Sequence, residues 1–344
     1  MRIFALFAAA GLFVFLLYLY LFVPFGQVVT AVERANLLVL GLAFGVVFAG
    51  VVFNSLAWAR LLGLLSVRVS FLKVFLFVWV ASFVDILIPA ESMSGDVSKV
   101  YLMSRESGES DGKIVASVVS QRILGMVVTI VTLVLSAVYF VVVYHASLFV
   151  EGVMVFAAVG SVVLLGLLLY FSATRSATER LGDWVVRVLV WVSRGRWRFE
   201  RLKAFLVRLL DSFHEGIFSL SKSPRGLVLP LLFTVLAWLS DVFVAVLVFV
   251  SLGSFGVSIS LSAIVIVYSI SIAIEDVPVG VPWEFGTLEV VMTSLFVLLG
   301  SSGTIGVFAV AAFLIRVFTV WVKLLVGGLA VQFLGVKGLF SGRS

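Results

Sequence analysis

A chain of 344 residues with 62% hydrophobic and only 12% charged side chains, and a mean hydropathy of +1.26, lies far from soluble proteins, in which roughly a quarter of residues carry charge. It reads as an all-α polytopic membrane protein, a single integral membrane domain over residues 1–344 with room for about six to nine crossings at about 20 residues each and no soluble catalytic domain left over. The absence of cysteine excludes disulfides, thiol nucleophiles and cysteine-ligated zinc; His145 and His214 fall in separate predicted loops, so neither a metal site nor a cofactor is expected.

In chain order, apolar runs predict spanning helices over residues 3–23, 37–59, 123–143, 148–171, 227–250 and 305–326. The first run is longer than a signal-peptide core and has no small-residue cleavage site before Pro24, so it reads as a retained helix. Two further runs, 71–88 and 259–274, each stop at a stretch rich in acids, proline and glycine: 85–96, which reads DILIPAESMSGD, and 275–289, which reads EDVPVGVPWEFGTLE. Open backbone and carboxylates are tolerated at membrane depth only where protein or a water-filled cavity surrounds them. A working site is therefore expected between these two stretches.

Charge sets the orientation. Residues 172–226 carry 11 Lys/Arg against 5 Asp/Glu, which the positive-inside rule assigns to the cytoplasm. Arg2, Lys337 and Arg343 place both termini of a multi-pass cell-membrane protein on that side, and Arg60, Arg68 and Lys73 belong there too. Counting 71–88 as a full span puts one of these basic groups outside. Treating both broken runs as re-entrant hairpins, one from each side, removes the conflict and leaves six spans. Eight or nine ordinary spans with an external N-terminus is the alternative, and it breaks the charge rule at Arg2, Arg60, Arg68 and Lys73. Opposed hairpins suggest an inverted repeat, with Asp85, Pro89, Gly95 and Asp96 answering Asp276, Pro278, Gly286 and Glu289, and discontinuous helices in two such halves point to a transport site.

Within the cytoplasmic insertion 172–226, two basic amphipathic helices are expected. The first, over 179–191, spaces Arg180, Asp183 and Arg187 among apolar residues; the second groups Leu202, Phe205, Leu206, Leu209 and Phe213 opposite Arg198, Arg201, Arg208, Asp211 and Glu215. Such helices lie at the membrane surface and attract anionic headgroups. Membrane lipids are thus the expected partners and nucleic acid is not, because the arginines are interleaved with a buried-type apolar face. The sequence sets no oligomeric state.

An Arg near the end of an early helix, then a Pro, a Gly-acid pair with a Tyr shortly after, and an Arg opening the next span read here as Arg60, Pro89, Gly95, Asp96, Tyr101 and Arg122. A Pro/Gly turn, a Gly, a Glu and an Arg in the final helix read as Pro282, Gly286, Glu289 and Arg316. In this order, over about residues 37–328, the chain resembles the flippase-like transmembrane domain of lysylphosphatidylglycerol synthases, which also occurs as a stand-alone membrane protein. It departs from that pattern at Trp283 and Glu284, where paired glycines are usual, at Gln121, where an acid commonly precedes the Arg, and at Asp85, where a polar amide is commoner. The resemblance implies a lipid-handling membrane domain without an aminoacyl-transferase domain.

The expected function is binding and translocation of a lipid with an anionic or polyprenyl-linked headgroup, without enzymatic activity. Alternatives are a transferase acting on lipids, with Asp85 and Asp96 as carboxylate catalysts, and a membrane partner of a separate glycosyltransferase or aminoacyl-transferase. Against catalysis, the chain has no AspXAsp pair, no His-based acid or base and no phosphate-cradling glycine loop. Arg122 and Arg316 fit two compatible roles: a bidentate grip on a lipid phosphate, or internal pairs with Asp96 and Glu289. Asp241, in mid-span, either carries a coupling proton or bonds a neighbouring hydroxyl. Arg60 and Lys323 are expected to snorkel at helix ends.

Overall fold

The computed structural model describes residues 33–87, 93–144, 148–180, 200–275 and 287–334, together with Thr30, Trp184 and Arg187. In chain order the helices are α1 (Leu37–Leu64), α2 (Phe71–Leu87), α3 (Met93–Ser107), α4 (Asp111–Tyr144), α5 (Leu148–Ala173), α6 (Glu200–Ser221), α7 (Pro224–Ser251), α8 (Leu261–Glu275), α9 (Thr287–Leu299), α10 (Ile305–Arg316) and α11 (Val322–Leu334), the last two joined by a π turn over Val317–Trp321. Local signals set several starts: the Asn36 side chain accepts from the Leu38 and Val39 amides at α1, Thr304 accepts from the Val307 amide at α10, and Pro224 opens α7, where a missing N–H leaves no bond unmade. Among the described residues no strand forms beyond an isolated Ser258–Ser302 bridge.

Among the described residues four helices are long and apolar enough to cross a membrane: α1, α4, α7 and the continuous α10–α11. The 26-residue α5 adds a fifth by length, and the predicted span 3–23 lies outside the described residues. The predicted start of α4 needs correction. It begins at Asp111 rather than at residue 123, because the first three turns carry Asp111 and Lys113 on a helix of 34 residues, about 51 Å long against a hydrocarbon core of about 30 Å. Hydropathy marks the part of a helix inside the lipid, not the turns that project beyond it.

Close contacts fix which helix ends lie together. At one end, a Cβ on Gly226 would meet the Leu64 side chain at 2.7 Å, one on Gly216 would meet Ala116, and the backbone of α6 around Leu209 and Phe213 lies directly against Gly112. This basic end therefore gathers the close of α1, the start of α4, α6 and the start of α7. At the opposite end the Asn36 amide donates to the Ser251 carbonyl at 3.4 Å.

The two broken runs are hairpins entering from these opposite ends. Lys73 at the start of α2 pairs with Glu106 near the close of α3, so the first hairpin leaves the basic end and returns to it. The second is tied at the other end, where the Ser258 amide donates to the Ser302 carbonyl at 3.0 Å and the Ser301 amide donates to the Ser258 carbonyl at 3.0 Å. At 17 and 15 residues, α2 and α8 are about 25 and 22 Å long, shorter than a hydrocarbon core of about 30 Å.

The halves correspond in detail. Each runs a 28-residue helix (α1, α7), a hairpin and a long helix. An acid in the first turn of the second arm, Asp96 or Glu289, pairs with the twelfth residue of the helix that follows, Arg122 or Arg316. Two apolar clusters hold the bundle: one at the basic end around the fully buried Trp58 and Trp79, the other around Phe249, Phe296 and Phe308 from α7, α9 and α10.

Candidate functional site

The inner ends of α2, α8 and α9 meet at one polar cavity of about 390 Å³. Asp85 and Ile86 reach it from α2, Glu275 from α8 and Leu288 from α9. Asp241 from α7 and Arg316, Thr319 and Lys323 from α10–α11 complete its charged and polar wall. An adjoining cavity of about 260 Å³ shares Asn54, Ser82, Asp241, Ile272 and Lys323 with the first and extends to Arg122 and Thr129 on α4. Three carboxylates and two cations thus line the first cavity, within a bundle whose outer faces are apolar. The described residues contain no group of three His, Asp or Glu placed to hold a metal ion.

Position follows from helix rise. Arg122 stands eleven residues into α4 from the basic end and Arg316 eleven residues into α10 from the opposite end; at 1.5 Å per residue each is about 16 Å along its helix, where the apolar run of α4 begins for Arg122 and well inside an apolar run for Arg316. Both predicted internal pairs form, but unequally. Arg316 Nε lies 3.5 Å from Glu289 Oε1, with side chains 7% and 1% exposed. Arg122 Nη1 lies 3.3 Å from Asp96 Oδ2, with side chains 21% and 26% exposed, and Asp96 Oδ1 also takes Lys99 Nζ at 3.3 Å.

Asp85 holds the first hairpin together across its break. Its Oδ1 accepts from Ser94 Oγ at 2.8 Å and from the Gly95 amide at 2.5 Å, so the carboxylate of α2 sits on the positive N-terminus of α3. Gly95 is glycine for a steric reason: a Cβ there would strike the Asp85 carboxylate and come within 2.7 Å of the Ala81 carbonyl. Gln121, the departure beside Arg122, donates to the Asn54 side chain at 2.6 Å and to its carbonyl at 3.1 Å, clamping α4 to α1 at the cavity edge.

The structure therefore brings together Asp85, Asp96, Arg122, Asp241, Glu289 and Arg316, with Gly95 as the contact point. Arg60 and Tyr101 are exposed and outside the cavity lining; the Tyr101 hydroxyl accepts from Arg105 Nη1 at 3.0 Å on the outer side of α3. Pro89, Asp276, Pro282 and Gly286 lie outside the described residues. Lys323 does not snorkel at a helix end: it lines both cavities, because the π turn between Arg316 and Val322 sets its position on α11. π turns inside helices often mark functional sites.

Glu275 opens the second acidic stretch, whereas Asn54, Ser82, Tyr268, Ser271 and Thr319 were not singled out by composition or motif. Their signal is spacing. Ser82 and Asp85 on α2, Tyr268, Ser271 and Glu275 on α8, and Arg316, Thr319 and Lys323 on the last helix recur at three- and four-residue intervals, which puts one polar stripe on each otherwise apolar helix.

This is a polytopic α-helical membrane protein built on two opposed hairpins around a charged cavity. It belongs to the family described as the lysylphosphatidylglycerol synthase TM region, whose family model matches residues 6–327. A UPF0104 membrane protein of Pyrococcus horikoshii is 25% identical over 301 residues, covering 87% of this chain and 88% of that protein. A UPF0104 membrane protein of Methanothermobacter thermautotrophicus is 24% identical over 310 residues, covering 90% and 89%.

Proposed function

We propose that this protein translocates a phosphate-bearing lipid headgroup through the cavity where the helices of the two hairpins meet. The observation that carries the reading is the meeting of two hairpins from opposite ends on a charged cavity inside the apolar bundle, lined by Arg316 and continued by a second cavity lined by Arg122. Charged side chains and broken backbone are costly inside a membrane unless they face a polar path, and discontinuous helices in inverted halves are how such paths are built. In this reading Arg122, Arg316 and Lys323 meet the phosphate, while Asp85, Asp241 and Glu275 balance their charge.

The orientation follows from charge: the basic end faces the cytoplasm in the cell membrane, and residues 172–226 lie along the inner surface as an insertion against the lipid headgroups. A separate aminoacyl-transferase or glycosyltransferase modifying the lipid is the partner this arrangement would serve. The protein itself moves the lipid rather than changing it.

The test is translocation by the purified chain in proteoliposomes carrying fluorescent phosphatidylglycerol, with a membrane-impermeant quencher added outside. Transport makes label from both leaflets accessible, whereas protein-free vesicles protect the inner leaflet. A folded protein that leaves the protected fraction at the protein-free level would exclude translocation of this lipid.

A further inference from the structure

Arg122 faces two different spaces. On one side it lines the smaller polar cavity; on the other it closes a groove of about 370 Å³ between α3, α4 and α5. Apart from Arg122 and Asp96 the groove is apolar, with Val97, Val100, Val118 and Leu168 among its walls. Val97, at the mouth, is 67% exposed, so the groove opens toward the surrounding hydrocarbon. Its volume falls within the range of about 300–1,000 Å³ typical of ligand sites.

Charge distinguishes this groove from ordinary lipid-facing surface. Asp96 is contacted by two cations, Arg122 and Lys99, and Arg122 itself lines the groove. A second lateral groove, between α4 and α8 and lined by Leu135, Tyr139, Leu261 and Val265, has no charged residue in its lining.

We propose that the α3–α4–α5 groove holds a hydrocarbon chain of a phospholipid whose phosphate is gripped at Arg122. The headgroup then crosses in the polar cavity while the chain stays in the bilayer, and Arg122 stands where the two environments meet. The proposal rests on the transport reading of that cavity and adds the chain site and its lateral opening.

The test is photolabelling of the full-length chain in phosphatidylcholine vesicles containing phosphatidylglycerol with a diazirine on its acyl chain, with peptides mapped after irradiation. Labelling is expected around Val97, Val118 and Leu168 in preference to the α4–α8 groove. Arg122→Gln removes a charge-assisted contact and should lower labelling of the α3–α4–α5 groove about tenfold while leaving the α4–α8 groove unchanged. Val118→Trp, which fills the groove and spares the arginine, should do the same. Equal labelling of the two grooves in the unaltered protein overturns the proposal without any variant. Selective labelling without translocation leaves the site standing and removes the transport reading; translocation without selective labelling does the reverse.

Discussion

The two Arg–acid pairs occupy corresponding places in the two halves, yet they should respond differently to mutation. Glu289 and Arg316 are 1% and 7% exposed, so removing either one takes a buried counter-charge from the other, at a cost of about 3–5 kcal/mol. At about 2 °C per kcal/mol for a protein of this size, the unfolding midpoint of Glu289→Leu or Arg316→Met should fall by about 6–10 °C. Replacing both together removes both charges and should bring the protein back to within about 1 kcal/mol of its original stability. The Asp96–Arg122 pair, 26% and 21% exposed and sharing Lys99, is screened by its surroundings, so Arg122→Met should cost only about 1 kcal/mol. Intrinsic tryptophan fluorescence in detergent, at one fixed scan rate, reads all of these variants on a common scale. A double variant as unstable as the sum of its two single variants would refute the argument, because the two charges would then not be compensating each other.

Two further outcomes follow from the geometry. Because the chain lacks cysteine, single cysteines at Ser110 and Lys222 should react with an impermeant thiol reagent from one side of the membrane and one at Ser302 from the other; Ser110 and Ser302 reacting from the same side would contradict the opposed hairpins. Gly95→Ala should lower the midpoint by an amount equivalent to about 1–3 kcal/mol through its clash with Asp85 and Ala81, while Gly41→Ala, whose added methyl meets nothing within 4 Å, should be neutral or slightly stabilising; equal effects at the two positions would dismiss the close approach of α2 to α3.

The opposed hairpins were legible because carboxylates, proline and glycine cannot interrupt a lipid-facing helix, and because Arg60, Arg68 and Lys73 cannot be reconciled with the basic 172–226 segment by full spans. The pairing of Arg122 with Asp96 and of Arg316 with Glu289 was legible for the same electrostatic reason. Motif order carried less. It placed Arg60 and Tyr101 beside the site, but Arg60 follows Asn54 by six residues, a turn of about 120° away, and Tyr101 follows Asp96 by five, about 140° away. Both consequently face outward. Lys323 was hidden by a π turn in a stretch, VFTVW, that contains neither proline nor glycine to announce it. Asn54, Ser82 and Ser271 were hidden by being small polar residues, unremarked one at a time and visible only as stripes.

That π turn also decides which single-codon losses the last helix can absorb. Its wide ring holds one residue more than a regular helical turn, so an in-frame loss between Val317 and Trp321 lets the helix close into ordinary α geometry while Lys323 keeps its facing. The same loss from the regular turns of Ile305–Arg316, with the wide ring left as it is, rotates everything beyond it by about 100°. Gly327, which lets the last helix approach Phe83 so closely that an added Cβ would sit 2.7 Å from its Cβ, would then turn away from α2.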